Sequence, residues 1–88
     1  MSEIGVESLS SPGCHNCEAF ERFWDGVKSH YPNVKYTNKS ILTPEGQEMA
    51  QKFGIFASPG IVINGELFST GGVSTDKFIA KIKELSSR

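Results

Sequence analysis

The hydrophobic positions of this chain follow two kinds of pattern, one typical of strands and the other typical of helices. The run 4–9 alternates apolar and polar residues imperfectly and predicts a first strand. From Cys17 onward, apolar residues recur at helical spacing and predict one face of a helix roughly four turns long. That face is formed by Phe20, Phe23, Trp24, Val27 and Tyr31. We expect the helix to stop at Tyr31, because Pro32 disfavours the helical conformation of the residue before it.

The middle of the chain predicts a second strand followed by a second helix. The run 34–38 has the residue types of a strand. Thr43 followed by Pro44 is a typical helix start, because the hydroxyl can cap the first turn and proline suits the first helical position. Gly54 suits the left-handed position that ends many helices. The second helix is therefore expected between Pro44 and Gly54.

The last third of the chain predicts a β-hairpin and a final helix. Asn64-Gly65 is the preferred two-residue turn of a hairpin, and it separates the apolar run 61–63 from the run 66–68. The final helix is expected to begin near Ser74 or Thr75. The predicted order is β-α-β-α-β-β-α. Parallel pairing through helical crossovers, followed by an antiparallel hairpin, gives an α/β fold with a four-stranded mixed sheet and helices on both faces.

Length and charge limit the classes of function. A chain of 88 residues is long enough for one domain, which we place at 1–88. The net charge of -1 gives no electrostatic reason to expect nucleic-acid binding. The sequence shows no secretion pattern at its beginning and no apolar run of the roughly 18–20 residues that span a membrane. We therefore expect a cytoplasmic monomer without a membrane partner.

The two cysteines lie in one short motif, Cys14-His15-Asn16-Cys17, between the first predicted strand and the first helix. A helix start presents unpaired N–H groups and the positive end of the helix dipole, and both favour a thiolate. In a reducing compartment, such a pair is more often catalytic or metal-binding than a structural disulfide. We predict Cys14 as the nucleophile, because it precedes the helix. Cys17, on the apolar helix face, is the predicted resolving thiol.

Three features together resemble the thioredoxin superfamily in its short, glutaredoxin-sized form. They are the CxxC motif after the first strand, Ser58-Pro59 before the third strand, and Gly71-Gly72 before the last helix. The resemblance covers nearly the whole chain and implies a thioredoxin-like fold. It also implies a thiol–disulfide oxidoreductase that uses Cys14 and Cys17, without a cofactor, to reduce or exchange protein or small-molecule disulfides.

The same resemblance implies further site residues around the cysteines. Pro59 is expected to be cis and to pack beside the disulfide, so that the backbone of Ser58 is exposed to a substrate strand. His15 either stabilises the thiolate when protonated or is an exposed imidazole with little influence. The expected substrate-binding residues are Pro12, Gly13, His15, Ser58, Pro59, Gly71 and Gly72.

The expected partners are a disulfide-containing substrate and a source of electrons, either a reductase or glutathione. Gly71-Gly72 resembles the glutaredoxin segment that cradles glutathione, which makes glutathione a candidate co-substrate. Glutaredoxins usually also place a basic residue just before the motif to bind the glutathione carboxylates, and Ser11-Pro12-Gly13 supplies none. The alternative is that the two glycines only form the turn before the last helix.

Two functions from other classes remain open at the level of sequence. Cys14 and Cys17 are soft ligands that suit a metal ion or an iron–sulfur cluster, but they supply only half of a tetrahedral site. The other ligands would have to come from a second subunit, glutathione or a partner. Alternatively, the chain is a redox-switched binding adaptor with an apolar patch formed by Ile55, Phe56 and Pro59.

Overall fold

A computed structural model describes residues 3–87, and in this range the helices and strands follow the predicted order. Met1, Ser2 and Arg88, the ends of the predicted domain, lie outside the described residues. The strands are β1 (Ile4–Ser10), β2 (Val34–Ser40), β3 (Gly60–Ile63) and β4 (Glu66–Thr70). The helices are α1 (His15–Val27), α2 (Pro44–Phe53) and α3 (Thr75–Ser86), and a short 3-10 turn, Lys28–His30, continues α1.

The four strands form one mixed sheet in the order β2-β1-β3-β4, which confirms the predicted α/β fold. β1 pairs in parallel with β2 and antiparallel with β3, and β4 pairs antiparallel with β3. β1 is therefore an interior strand, and the chain leaves its C-terminal end directly into the CxxC motif. Among residues 3–87, no helix is both long and apolar enough to cross a membrane.

The core has one layer on each face of the sheet, because buried side chains of the strands point to both sides. On one face, β1 and β3 pack against the aromatic residues of α1 and α3; the buried residues are Ile4, Val6, Phe20, Trp24, Ile61, Ile63, Phe78 and Ile82. On the other face, α2 covers a smaller cluster formed by Leu9, Met49, Ile55 and Val62. All four residues of β3 are buried, which explains its continuous apolar run.

Local capping signals account for the helix starts that the sequence predicts. The Thr43 hydroxyl accepts a hydrogen bond from the Gly46 N–H at 3.0 Å, and Pro44 begins α2. Gly54 ends α2 in the left-handed conformation, with φ of 68°. The Ser74 hydroxyl accepts a hydrogen bond from the Lys77 N–H at 3.3 Å and caps α3.

Strand lengths and the bounds of α1 differ from the sequence pattern by a few residues. β2 continues to Ser40 because it pairs with β1 as far as Ser10. β4 continues to Thr70 because this residue pairs with Gly60. α1 begins at His15, before the first buried position, and its α-helical part ends at Val27 rather than at Tyr31. Helices commonly tighten into a 3-10 turn at their ends, as this one does.

Candidate active site

Cys14 and Cys17 are joined by a disulfide at the start of α1, with their Cα atoms 5.2 Å apart. Cys14 has an extended conformation and caps the helix, whereas Cys17 lies inside the first turn. Cys17 is only 5% exposed, and Cys14 is half-buried. Cys14 therefore carries the sulfur that a partner can reach from solvent.

The sulfur of Cys14 lies in a favourable position for a negative charge. It accepts a hydrogen bond from the backbone N–H of Cys17 at 3.1 Å. This N–H is one of the helix-start groups that lack a partner within the helix, and the helix dipole adds partial positive charge there. After reduction, the same two features stabilise the thiolate, which is the form that attacks disulfides.

The loop before β3 lies against the segment that leads into the motif. The Ser58–Pro59 peptide bond is cis, as the family resemblance implies. The hydroxyl oxygens of Ser58 and Ser11 are 2.6 Å apart and form a hydrogen bond. Pro59 is fully buried, and Ser58 is half-buried. The peptide groups of Ser58 lie outside the strand ladder, which begins at Gly60.

The residues that flank Cys14 in sequence are open to solvent. Pro12, Gly13 and His15 are all exposed. Gly13 has φ of 73°, in the left-handed region that residues with a Cβ seldom adopt, so the turn into α1 favours glycine at this position. His15 is the first residue of α1 and its side chain is open to solvent.

The two glycines before α3 connect the loop before β3 with the start of α1. The N–H of Gly71 lies 3.1 Å from the carbonyl oxygens of both Ala57 and Pro59. Gly72 lies on the wall of a small hollow of about 200 Å³, which we call the glycine-side hollow. Its lining residues are Asn16, Ala19, Phe20, Gly72, Val73 and Thr75. The structure therefore links both glycines to the elements that carry the predicted site.

A second hollow, of about 180 Å³, lies on the α2 side of the sheet beside the loop before β3. We call it the apolar hollow, and it is lined by Leu9, Ser11, Ile41, Ile55, Phe56, Ala57 and Ser58. Of the predicted adaptor patch, Ile55 and Pro59 are buried, whereas Phe56 is 95% exposed. The sequence pattern does not predict this hollow, because its walls come from separate parts of the chain.

A polar cluster between α1 and the sheet was also not predicted from the sequence. The Glu21 carboxylate accepts hydrogen bonds from the Tyr36 hydroxyl and, at 2.9 Å, from the Asn38 amide. The Ser8 hydroxyl lies 2.7 Å from the Tyr36 hydroxyl and accepts a hydrogen bond from the Asn38 amide at 2.6 Å. We call these four residues the Glu21 cluster.

Tyr36 is expected to stay protonated well above the pH at which tyrosine ordinarily ionises. Burial, followed by the hydrogen bond to Glu21, raises the pKa of Tyr36 above its usual 10.0. Because the folded state holds this proton more tightly than the unfolded chain, its stabilising contribution is complete below pH 10.0. That contribution is lost as the pH rises through the folded-state pKa. Phenolate absorbance of the folded protein measures this directly.

The matched variant for this measurement is Tyr36→Phe, which keeps the ring and removes the hydroxyl. We expect one late-ionising tyrosine to disappear from the alkaline titration of this variant. Its unfolding free energy should also fall less steeply above pH 10.0 than that of the wild type. Identical titration curves for the two proteins would contradict the assignment.

In the described part of the chain, 3–87, no group of three or more His, Cys, Asp or Glu side chains is placed to hold a metal ion. Within that range, Cys14 and Cys17 therefore have no third side chain of these types beside them that could complete a metal site.

Comparisons with known proteins match this fold and this motif. A family model described as a thioredoxin domain matches residues 3–84. A thioredoxin of Methanocaldococcus jannaschii is 32% identical over 87 residues, covering 96% of this chain and 98% of that protein. The structure of oxidized thioredoxin O2 from Arabidopsis thaliana gives a TM-score of 0.76 at 17% identity, covering 96% of this chain and 76% of the other. A chain from the complex of ferredoxin:thioredoxin reductase and thioredoxin f2 gives a TM-score of 0.76 at 14% identity, covering 97% of this chain and 79% of the other.

At these identities the two solved structures establish the fold, while the family match and the archaeal relative each span almost the whole chain. The CxxC pair forms a disulfide at the start of α1. Two cysteines so placed can cycle between dithiol and disulfide by exchange with another disulfide. The chain belongs to the thioredoxin family, and its Cys14–Cys17 pair makes it a thiol–disulfide oxidoreductase.

Proposed function

We propose that this chain reduces disulfides in proteins, with Cys14 as the attacking thiol and Cys17 as the resolving thiol. The observation that carries the proposal is the difference between the two sulfurs. Cys14 is half-buried, and its sulfur accepts a hydrogen bond from the backbone N–H of Cys17. Cys17 itself is only 5% exposed. A bulky protein disulfide can therefore approach Cys14, while Cys17 is held within the protein for the second step.

The reaction is a two-step exchange in which one disulfide is broken and another is formed. The Cys14 thiolate attacks one sulfur of the substrate disulfide, and the other substrate sulfur leaves as a thiolate. The deprotonated Cys17 then attacks Cys14, which releases the second substrate thiolate and closes the Cys14–Cys17 disulfide. Two electrons move from the dithiol to the substrate, and the two released thiolates take up two protons. A reductant then returns the pair to the dithiol.

The apolar hollow supports a protein substrate with an apolar residue near its cysteine. Its volume of about 180 Å³ is below the roughly 300–1,000 Å³ typical of small-molecule pockets, so it suits a single side chain. None of its lining residues is charged, and Ser11 and Ser58 connect it to the motif. Phe56 is 95% exposed at its rim and can be covered by such a partner.

The charges around the site support a protein reductase rather than glutathione as the source of electrons. Neither the apolar hollow nor the glycine-side hollow has a lysine or arginine among its lining residues. The carboxylates of glutathione therefore find no cationic side chain in either hollow. One similar structure comes from a complex of ferredoxin:thioredoxin reductase and thioredoxin f2, which is consistent with a protein reductase for this fold.

The proposal is tested by insulin reduction with a dithiol reductant, followed as the precipitation of the released chains. We expect the protein to accelerate this reaction catalytically. Phe56→Ala should raise KM for the protein disulfide about tenfold, because burying an exposed Phe is worth about 1.5–3 kcal/mol. The rate with a small aromatic disulfide should stay unchanged.

Leu42→Ala is the matched control, because Leu42 is 71% exposed but does not line the apolar hollow. We expect this variant to reduce both substrates at the wild-type rate. If Phe56→Ala slows both substrates equally, or neither, the apolar hollow is not a binding site for protein substrates. If the wild-type protein leaves insulin disulfides intact, the proposal of protein-disulfide reduction is wrong.

A further inference from the structure

One wall of the apolar hollow is a short segment outside the helices and strands, residues 56–58, which we call the rim segment. All three of its residues, Phe56, Ala57 and Ser58, line the hollow. The residues on either side, Ile55 and Pro59, are buried, but Phe56 and Ala57 are exposed. Because two of its three residues are exposed, packing does little to hold the rim segment. Its conformation therefore depends largely on hydrogen bonds.

Thr70, the last residue of β4, contacts the rim segment through its side chain. Its hydroxyl donates a hydrogen bond to the carbonyl oxygen of Ala57 at 2.9 Å and accepts a longer one from the Ala57 N–H at 3.4 Å. These two groups belong to the peptide units on either side of Ala57. One unit joins Ala57 to Phe56, and the other joins it to Ser58. A single hydroxyl therefore contacts both peptide units of the rim segment.

The other anchors of the rim segment lie toward β3 and toward the motif. The N–H of Gly71 lies 3.1 Å from the carbonyl oxygens of both Ala57 and Pro59. The Ser58 hydroxyl forms its hydrogen bond with the Ser11 hydroxyl. None of these contacts involves the peptide unit on the N-terminal side of Ala57.

The position of Phe56 consequently depends on Thr70. Phe56 is 95% exposed, so packing within this chain does not set the direction of its ring. Its carbonyl group belongs to the peptide unit whose N–H, that of Ala57, contacts the Thr70 hydroxyl. Within residues 3–87, this is the hydrogen bond that the structure gives to that unit. Without the hydroxyl, we expect the rim segment to sample other conformations.

We propose that Thr70 is a positioning residue for protein substrates, and that its hydroxyl holds the rim segment in the conformation that receives an apolar side chain. The inference rests on the proposed function, because it concerns how a protein disulfide is bound before Cys14 attacks. A wall that is already ordered removes the entropy cost of ordering it on binding. If only a fraction of the molecules has the competent conformation, the apparent dissociation constant rises by the inverse of that fraction.

Thr70→Val tests this assignment, because valine has a similar shape and favours strands but lacks the hydroxyl. Initial rates of insulin reduction are measured over a range of insulin concentrations. We expect KM to rise about threefold to tenfold, the fold-change for one net hydrogen bond. The kcat value and the rate with the small aromatic disulfide should stay unchanged. Thr70→Ser, which keeps the hydroxyl, should have a KM close to that of the wild type.

A double-mutant cycle with Phe56→Ala shows whether Thr70 acts through Phe56. When the Phe56 ring is already absent, its position no longer matters for binding. We therefore expect Thr70→Val to change KM by less than about twofold in the Phe56→Ala protein. A change of the same size in both backgrounds would show that Thr70 acts elsewhere, and would overturn the inference.

Thr37→Val is the matched control. Thr37 is an exposed threonine of β2, at the opposite edge of the sheet from β4, and it lines neither the apolar hollow nor the glycine-side hollow. We expect this variant to have the wild-type KM and kcat. If Thr70→Val does not fold, Thr70→Ala removes the same hydroxyl, and Thr37→Ala is then its control.

The outcomes separate the inference from the proposed function. A Thr70→Val protein with the wild-type KM for insulin, or one that reduces both substrates more slowly by the same factor, overturns the inference and leaves the proposed function intact. A wild-type protein that leaves insulin disulfides intact contradicts the proposed function itself, and the inference with it.

Discussion

We expect Cys14→Ser to eliminate disulfide reduction and Cys17→Ser to stop the reaction at a stable mixed disulfide between Cys14 and the substrate. The proposed nucleophile is Cys14, whose sulfur at the helix start accepts a hydrogen bond from the Cys17 N–H, whereas Cys17 is only 5% exposed. We expect the rate of insulin reduction to fall by more than about 10³-fold in Cys14→Ser, as for the loss of other covalent nucleophiles. Intact-mass measurement detects the adduct of Cys17→Ser.

The two serine variants control for each other, because each changes one sulfur to oxygen at the N-terminal end of α1. An adduct on Cys17 in the Cys14→Ser protein, with the same yield as the adduct on Cys14, would show that the two roles are not distinct. Continued catalytic turnover by Cys17→Ser, with no mixed disulfide detected, would contradict the two-step exchange.

Gly46→Ala has the largest expected effect on stability. An added Cβ at Gly46 would lie 1.8 Å from the carbonyl oxygen of Ser40 and 2.6 Å from its carbonyl carbon. The obstacle is backbone at the end of β2, so α2 or the strand end must move. We expect a loss of about 3 kcal/mol, the upper part of the usual range for overpacking. For a domain of this size, that lowers the Tm by roughly 12–24 °C.

Gly26→Ala is the matched control for this substitution. Gly26 lies in α1, and an added Cβ there meets no atom within 4 Å. Alanine is favoured over glycine within a helix by about 0.5–1 kcal/mol, so the Tm should rise by a few degrees. Thermal unfolding followed by circular dichroism measures both variants. A Gly46→Ala protein as stable as the wild type would show that α2 does not approach β2 as closely as described.

The features that sequence could predict are those with local causes. Both ends of α2 are set by residues at those ends: Thr43 caps the first turn, Pro44 begins it, and Gly54 ends the last turn. The hairpin follows from Asn64-Gly65, whose φ values of 50° and 79° suit its tight turn. The mixed sheet follows from the order of elements, since parallel strands need a crossover and a hairpin needs none.

The features that sequence could not predict depend on contacts between distant residues. Tyr36 and Ser8 are 28 positions apart, and no local pattern indicates that their hydroxyls meet. Ser11 and Ser58 are 47 positions apart, and their contact places the loop before β3 against the motif. The apolar hollow likewise needs the β1–β2 register before Leu9 and Ile41 can be placed on one wall.

The central claim is that Cys14 is a reactive thiolate at neutral pH and Cys17 is a protected thiol. Alkylation of the reduced protein, followed by peptide mass analysis at a series of pH values, tests it most directly. We expect Cys14 to react first. Its alkylation rate should reach half of its maximum at a pH below the pKa of free cysteine, which is roughly 8.5. Two cysteines that react at the same rate, both with a midpoint of about 8.5, would contradict the account.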